Sequence, residues 1–155
     1  MSINSHSKKY IGIDYGSKRV GVAISDDQGT MAFPKCVIQN GSLEQVSYEI
    51  SKICNELGVK DVVLGESKNF KGEDNLIMKE VRSFINHLEV KGLDVVYEPE
   101  LFSTMQAERI QGQHTDIDAS AAAVILQSYL DRIKKENDPF KTLEEIENTK
   151  YEQHE

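Results

Sequence analysis

The sequence predicts an α/β fold in which helices flank a mixed five-stranded sheet. Three extended runs at the start of the chain, separated by turn residues, predict an antiparallel meander. Two units of amphipathic helix followed by a short apolar strand come next, and they predict two parallel strands joined by right-handed crossovers. Two more helical segments complete the order, so helices are expected on the faces of the sheet.

The meander begins with residues 10–14 and 20–25, joined by a turn in which Gly16 can reverse the chain. Residues 31–39 follow as a third run. Because proline cannot donate to a neighbouring strand, Pro34 predicts that this run is an edge strand or is broken.

The first helix is predicted from the capping-box pattern Ser42-Leu-Glu-Gln45 and ends at Gly58. Its apolar positions recur at helical spacing and are Leu43, Val46, Ile50, Ile53, Cys54 and Leu57. Residues 61–65 are short and apolar, which is typical of a buried parallel strand.

A polar loop over residues 66–73 leads to a second helix, which Gly92 closes, and residues 93–97 form the next strand. A second capping-box pattern at residues 103–106 predicts a short helix to about residue 111. The final helix is expected from near Asp118 to near Asn137. Its apolar positions are Ala122, Ile125, Leu126, Tyr129 and Ile133.

The length of 155 residues suits one domain, which we assign to residues 9–137. Residues 1–8 are expected to be a disordered N-terminus, and residues 138–155 an acidic, frayed C-terminal tail. No window approaches the roughly 20 apolar residues that cross a bilayer, so a cytoplasmic protein is expected. Cys36 and Cys54 lack the spacing of a zinc or redox motif and are predicted to be reduced core thiols.

The net charge of −8 is unusual for a protein that approaches phosphates, because Lys and Arg supply most non-specific affinity for nucleic acid. Residues 136–155 hold seven acidic residues and two lysines, a net charge of −5, which leaves −3 for residues 1–135. The acidity is therefore largely a property of the tail.

Asp14 is the first candidate for chemistry, because it ends an apolar strand that is otherwise expected to be buried. A carboxylate is costly to desolvate there unless it is paired or bound to metal. The alternative is a turn aspartate that bonds its own backbone two residues on. From this residue alone, both the paired or metal-bound carboxylate and the turn aspartate remain open.

The run from Asp14 to Asp26, Asp-Tyr-Gly-Ser-Lys-Arg-Val-Gly-Val-Ala-Ile-Ser-Asp, closely resembles the opening signature of the bacterial YqgF-type family. This family is described as Holliday junction resolvases and as nucleases that trim precursor ribosomal RNA. The resemblance continues at residues 65–72 and 100–109. It ends with the motif of the closing helix over residues 117–130, so that it covers about residues 9–135.

The resemblance implies a ribonuclease-H-like fold with metal-binding carboxylates at Asp14, Glu100 and Asp118. These would hold Mg²⁺ or Mn²⁺, since hard cations prefer carboxylate oxygens, and a few carboxylates can bridge two ions about 4 Å apart. One ion would activate a water for attack on phosphorus, and the other would stabilise the departing ribose oxygen. The implied products are a 5′-phosphate and a 3′-hydroxyl.

The chain departs from the family at Pro99-Glu100-Leu101, where the family usually has Asp-Glu-Arg. Glu98 competes with Glu100 as the ligand, because residues two apart on a strand share a face. Aligning the family motif on Ser103-Thr104 favours Glu100.

Asp118 has a second interpretation as the N-cap of the final helix, and Asp116 is a weaker candidate for a fourth acidic group. In the middle loop, Glu66-Ser67 replaces what is usually an apolar residue and a proline.

Phosphate contacts are predicted in two loops that follow strands, since ligands dock at strand ends in such sheets. The candidates are Lys18, Arg19, Lys68, Asn69 and Lys71, with Arg109 less strongly indicated. Plain solvated side chains are the alternative. Tyr15 and Phe70 are the aromatic residues that could stack on bases.

Four functions compete. The favoured one is a metal-dependent nuclease, monomeric or homodimeric, that acts on precursor ribosomal RNA. A junction resolvase acting on branched DNA comes second and requires a symmetric dimer. A non-catalytic nucleic-acid-binding protein with the same fold is third, supported by the altered Pro99-Glu100-Leu101 context. A sugar-kinase-like or actin-like module is fourth, although 155 residues cannot hold its two lobes.

Overall fold

The computed structural model describes residues 8–65, 74–98 and 117–137 of the chain. Within them lie five strands, β1 Tyr10–Asp14, β2 Arg19–Ser25, β3 Ala32–Gln39, β4 Asp61–Gly65 and β5 Asp94–Glu98. The same residues contain three helices, α1 Leu43–Leu57, α2 Asp74–Val90 and α3 Ile117–Glu136. The elements and their order agree with the sequence prediction to within about two residues, the usual uncertainty of element ends.

The strands form one mixed sheet in the order β3-β2-β1-β4-β5. The first three strands are an antiparallel meander, while β4 lies parallel to β1 and β5 parallel to β4. The predicted fold class is therefore confirmed. This arrangement brings the carboxyl ends of β1, β4 and β5 to the same edge of the sheet.

Helix α1 forms where the capping pattern predicts it. The Ser42 side chain accepts a hydrogen bond from the Gln45 backbone N–H at 3.1 Å, and the Gln45 side chain accepts one from the Gly41 N–H at 2.8 Å. Gly58 ends the helix with φ of 69°, a left-handed conformation that glycine adopts without steric cost.

Strand β3 lies at one edge of the sheet, as Pro34 predicted. The register between β2 and β3 shifts between Val22 and Ala23, and Pro34 lies opposite Ala23. An irregular edge strand accommodates proline because one side of it needs no donor.

The sheet separates two apolar clusters. Helices α1 and α2 cover one face, where Ile11, Ile13, Leu64, Ile50 and Phe84 are fully buried. Helix α3 covers the other face and packs on a smaller cluster. Its members are Tyr10, Ala23, Val63, Ala122, Ile125, Leu126 and Leu130.

Two glycines let α3 approach the sheet closely. A Cβ atom on Gly12 would lie 2.7 Å from the Cβ of Leu126, and one on Gly65 would lie 2.3 Å from Cδ1 of Ile125. Both contacts are shorter than real Cβ atoms tolerate, so α3 reaches its position because side chains are missing there.

The predicted loop at 66–73, the short helix at 103–111, residues 1–7 and the tail at 138–155 lie outside the described residues. Cys36 and Cys54 are free thiols, the latter fully buried, in agreement with the prediction. No helix in the described part of the chain is long and apolar enough to span a membrane.

Candidate active site

Asp14 is half-buried at the carboxyl end of β1. Its neighbours Ile13 and Tyr15 belong to the cluster under α1 and α2. Because side chains alternate along a strand, Asp14 lies on the opposite face, which is the face that α3 covers.

Asp14 is flanked by glycine on both neighbouring strands. It pairs with Gly65 of parallel β4 and with Gly21 of antiparallel β2. Paired residues share a face of the sheet, so no side chain borders Asp14 on either adjacent strand.

Helix α3 runs antiparallel to β1. Tyr129 packs edge-on against Tyr10 at the start of the strand, with ring centroids 5.7 Å apart. Further along the strand, Gly12 faces Leu126 and the Ala122 carbonyl oxygen. The residue numbers in the helix fall as those in the strand rise, so the helix begins near the end of β1.

This direction brings the first turn of α3 towards Asp14. Asp118 precedes Ala122 by four residues, a rise of about 6 Å along a helix. Asp14 lies two residues beyond Gly12, an advance of about 6.6 Å along a strand. Asp118 is the second residue of α3, inside the helix rather than at an N-cap preceding it, and the direction of the helix points this turn towards the Asp14 end of β1.

Glu98 ends β5 in the same row as Asp14, since it pairs with Gly65. Its side chain is only 2% exposed. Oε2 accepts a charge-assisted hydrogen bond from Nη2 of Arg132, on the next-to-last turn of α3. Glu98 is therefore held in an ion pair.

Burial raises the pKa of Glu98 above its ordinary value, and the Arg132 charge opposes that rise. Arg132 follows Asp118 by 14 residues, about 21 Å along the helix axis. The Glu98 carboxylate thus faces a part of α3 that is remote from its first turn.

The two basic residues of the first turn are both exposed. Arg19 opens β2 and lies two residues before Gly21, the partner of Asp14. Alternation along the strand puts Arg19 on the same face of the sheet as Asp14. The Lys18 carbonyl accepts a hydrogen bond from the Asn40 N–H at 2.9 Å, which closes the turn against the end of β3.

The remaining predicted site residues, Glu100, Lys68, Asn69, Lys71 and Arg109, lie outside the described residues, as do Asp116 and Phe70. Among residues 8–65, 74–98 and 117–137, no group of three or more His, Cys, Asp or Glu side chains could hold a metal ion.

The prediction that Tyr15 stacks on bases is wrong. Its side chain is 1% exposed and packs on Phe84 with ring centroids 4.9 Å apart. Its hydroxyl oxygen accepts a hydrogen bond from the Asn40 amide at 3.1 Å. Strand alternation could have revealed this, because Tyr15 continues the stripe of Ile11 and Ile13.

Arg132 is a residue that sequence reasoning missed. It follows Ile125 by seven residues and Tyr129 by three, so it shares the apolar side of α3. A basic residue on that side, together with an acidic residue ending an apolar strand, was the available signal for a buried pair.

Comparison with known proteins identifies the family. A family model described as RuvX, Holliday junction resolvase, matches residues 8–132. The chain belongs to this family. The resemblance that the opening and closing motifs indicated is thereby confirmed.

This RuvX family chain matches curated relatives over nearly their whole length. One from Fusobacterium nucleatum subsp. nucleatum, named "Putative pre-16S rRNA nuclease", is 35% identical over 138 residues, which are 82% of this chain and 99% of the relative. A relative of the same name from Endomicrobium trichonymphae is 35% identical over 133 residues, 79% of this chain and 95% of its own length.

Solved structures with the same fold include two junction resolvases. RuvC of Thermus thermophilus, in complex with a Holliday junction substrate, has a TM-score of 0.55 at 14% identity and covers 81% of this chain and 96% of its own. The fowlpox virus Holliday junction resolvase has a TM-score of 0.53 at 12% identity, covering 80% and 99%. At these identities the likeness shows the ribonuclease-H-like fold alone.

Proposed function

We propose that this RuvX family protein is a metal-dependent nuclease that hydrolyses phosphodiester bonds in the precursor of the small-subunit ribosomal RNA. The observation that carries the proposal is the half-buried Asp14 at the carboxyl end of the central strand, on the face of a ribonuclease-H-like sheet that α3 covers. The names of the curated relatives support the substrate.

The donor set fits a divalent cation. Asp14 is a half-buried carboxylate bordered by two glycines, and carboxylate oxygens are the ligands that Mg²⁺ and Mn²⁺ prefer. In this proposal Asp14, Glu100 and Asp118 hold the metal. The bound cations supply activation of water and stabilisation of the charge on the departing oxygen.

The protein's own contribution is to orient the carboxylates and the substrate. Asp14 is fixed by the ladders of β1 with both β2 and β4, so its backbone cannot shift without breaking two strand pairings. The space beside Gly65 is filled by Ile125 of α3, so the helix is held close to the Asp14 end of the sheet. A site on rigid strands can be more accurate than one on loops.

Basic side chains bind the phosphates on either side of the scissile bond. Arg19, on the Asp14 face of β2, and the neighbouring Lys18 are the described candidates, and Lys68, Asn69 and Lys71 are proposed for the same role. These contacts give affinity without base sequence specificity.

Branched DNA is the second candidate substrate. The description of the family model as a Holliday junction resolvase favours it. A resolvase makes paired cuts and needs a symmetric dimer, whereas trimming of an RNA end needs one active site. A cytoplasmic location and a monomeric or homodimeric state belong to the same proposal.

The test is a cleavage assay that offers precursor 16S rRNA and a four-way DNA junction side by side, with magnesium, with manganese and with chelator. The proposal expects metal-dependent cleavage of the RNA. Symmetric cuts in the junction alone would favour the resolvase. Binding without cleavage of either substrate would leave a nucleic-acid-binding protein that keeps the fold.

A further inference from the structure

The Glu98–Arg132 ion pair joins the end of β5 to α3. Strand β5 lies at the edge of the sheet and pairs with β4 among the described strands. Val95 packs towards the large core, whereas Val96, on the α3 face, is 36% exposed. On this face, Glu98 holds the end of β5 to α3 through charge rather than through apolar packing.

The pair is built for directional contact. Nη2 of Arg132 donates to Oε2 of Glu98, while Nε of Arg132 and Oε1 of Glu98 are buried and have no partner in the described part of the chain. These are the two atoms that a second, parallel hydrogen bond would join. A two-bond fork of this kind fixes both distance and angle.

Stability alone does not account for the pair. Desolvation offsets much of the attraction within a buried ion pair, and well-packed apolar residues often replace such pairs without loss. What an apolar replacement does not reproduce is a defined orientation between two elements. Here those elements are β5, which Glu100 follows by two residues, and α3, which carries Asp118 in its first turn.

We propose that Glu98 and Arg132 are positioning residues that hold the end of β5 at a fixed distance from α3 and so tune the affinity of the metal site for its divalent cation. The inference rests on the proposed function in taking Glu100 and Asp118 as ligands. Glu98 then contacts no metal itself and acts through Arg132 and the two residues of chain that follow it.

The experiment uses the full-length chain with Arg132→Met, Glu98→Gln and, as a conservative variant, Arg132→Lys. Lys8→Met is the matched control. It removes the ion pair of Lys8 with Asp61, 3.2 Å between Nζ and Oδ1, at the opposite end of the parallel strands. Three quantities are measured for each protein: the Mn²⁺ dissociation constant by calorimetry, the magnesium concentration for half-maximal cleavage, and the cleavage rate at saturating magnesium.

Loss of the pair should raise the Mn²⁺ dissociation constant and the magnesium requirement by about tenfold or more, as removal of groups that orient metal ligands does elsewhere. The rate at saturating magnesium should stay within about threefold of wild type, since the reacting groups are unchanged. The Mn²⁺ dissociation constant and magnesium requirement of Arg132→Lys should lie between those of wild type and Arg132→Met. Both quantities should be unchanged from wild type in Lys8→Met. Glu98→Gln keeps the side-chain shape, so it tests the idea even if Arg132→Met does not fold.

An unchanged metal requirement in Arg132→Met and Glu98→Gln would overturn the positioning role while leaving the nuclease proposal intact. A loss at saturating magnesium of about a hundredfold in Glu98→Gln alone would overturn it too, because Glu98 would then be a ligand. If the wild type binds Mn²⁺ without cleaving either substrate, the nuclease proposal fails. The Mn²⁺ dissociation constants of the variants, compared with that of wild type, then still test the positioning role of the ion pair. A wild type that neither binds nor cleaves overturns both.

Discussion

Asp14 and Glu98 end two parallel strands in the same row of the sheet, with Gly65 of β4 between them. The two carboxylates nevertheless differ in environment. Asp14 is half-buried on the face that α3 covers, whereas Glu98 is almost fully buried against Arg132, near the C-terminal end of that helix. One row of the sheet therefore carries one partly exposed acid and one that is buried in an ion pair.

Gly65→Ala should lower the free energy of unfolding by about 1 to 3 kcal/mol, because the new methyl group would overlap Ile125. Gly41→Ala is the matched control, since its nearest neighbour is the flexible end of the Gln45 side chain. Chemical denaturation measures both. The cost of Gly65→Ala should shrink in an Ile125→Ala background, and an equal cost in both backgrounds would show that α3 does not press on β4 there.

Glu100→Gln should lower cleavage at saturating magnesium by about a hundredfold or more, because Glu100 is a proposed ligand. Glu98→Gln should lower it by no more than about threefold, because Glu98 is paired with Arg132. Manganese, which tolerates poorer ligand geometry, should partly restore Glu100→Gln. Reversed magnitudes in the rate measurements would identify Glu98 as the ligand.

Truncation after Asn137 should leave nucleic-acid binding unchanged or strengthen it, because the removed residues are net acidic and follow the part of the chain that the family model matches. The melting temperature should not fall. Binding titrations at fixed salt measure the effect. Weaker binding with an unaltered melting transition would mean that residues 138–155 contact the substrate.

Cys54 should be inert in the folded protein, since burial raises the pKa of its thiol from 9.0 to about 11. In a Cys36→Ser variant, a thiol reagent at pH 8 should label Cys54 only after denaturant is added. Fast labelling without denaturant would contradict the buried environment.

The same pKa predicts a pH dependence of stability. Above pH 9 the unfolded chain loses the Cys54 proton while the folded chain keeps it, so the free energy of unfolding should fall as the pH rises from about 9 to about 11. Denaturation curves of wild type and Cys54→Ala across this range give the difference. Cys54→Ala should lose less stability than wild type over this pH range. If the free energies of unfolding of the two proteins fall in parallel, the raised pKa of Cys54 is refuted.

The fold was largely predictable because its signals are local. Two extended runs joined by a turn at Gly16 predicted β1 and β2, the Ser42 capping pattern and Gly58 predicted both ends of α1, and Pro34 predicted the edge position of β3. Such features depend on neighbours in sequence, and the structure keeps them.

The site was predictable only in part, because its contacts are long-range. Asp14 was recognisable as a carboxylate in an apolar strand, but the pairing of Glu98 with Arg132 joins residues 34 positions apart and depends on how α3 crosses the sheet. Tyr15 was misjudged for a different reason, because its alternation with Ile11 and Ile13 is a local signal of burial that was overlooked.

The central claim is that Asp14 belongs to a metal-dependent nuclease site. The most direct measurement compares cleavage of precursor 16S rRNA in magnesium by wild type, Asp14→Asn and Asp94→Asn, which removes an exposed carboxylate from the opposite edge of the parallel strands. Loss of one metal-binding charge should abolish cleavage in Asp14→Asn, while its stability stays level or rises because carboxylate repulsion in the metal-free site is relieved. Asp94→Asn should cleave as wild type does. Wild-type cleavage by a folded Asp14→Asn in magnesium would contradict the account.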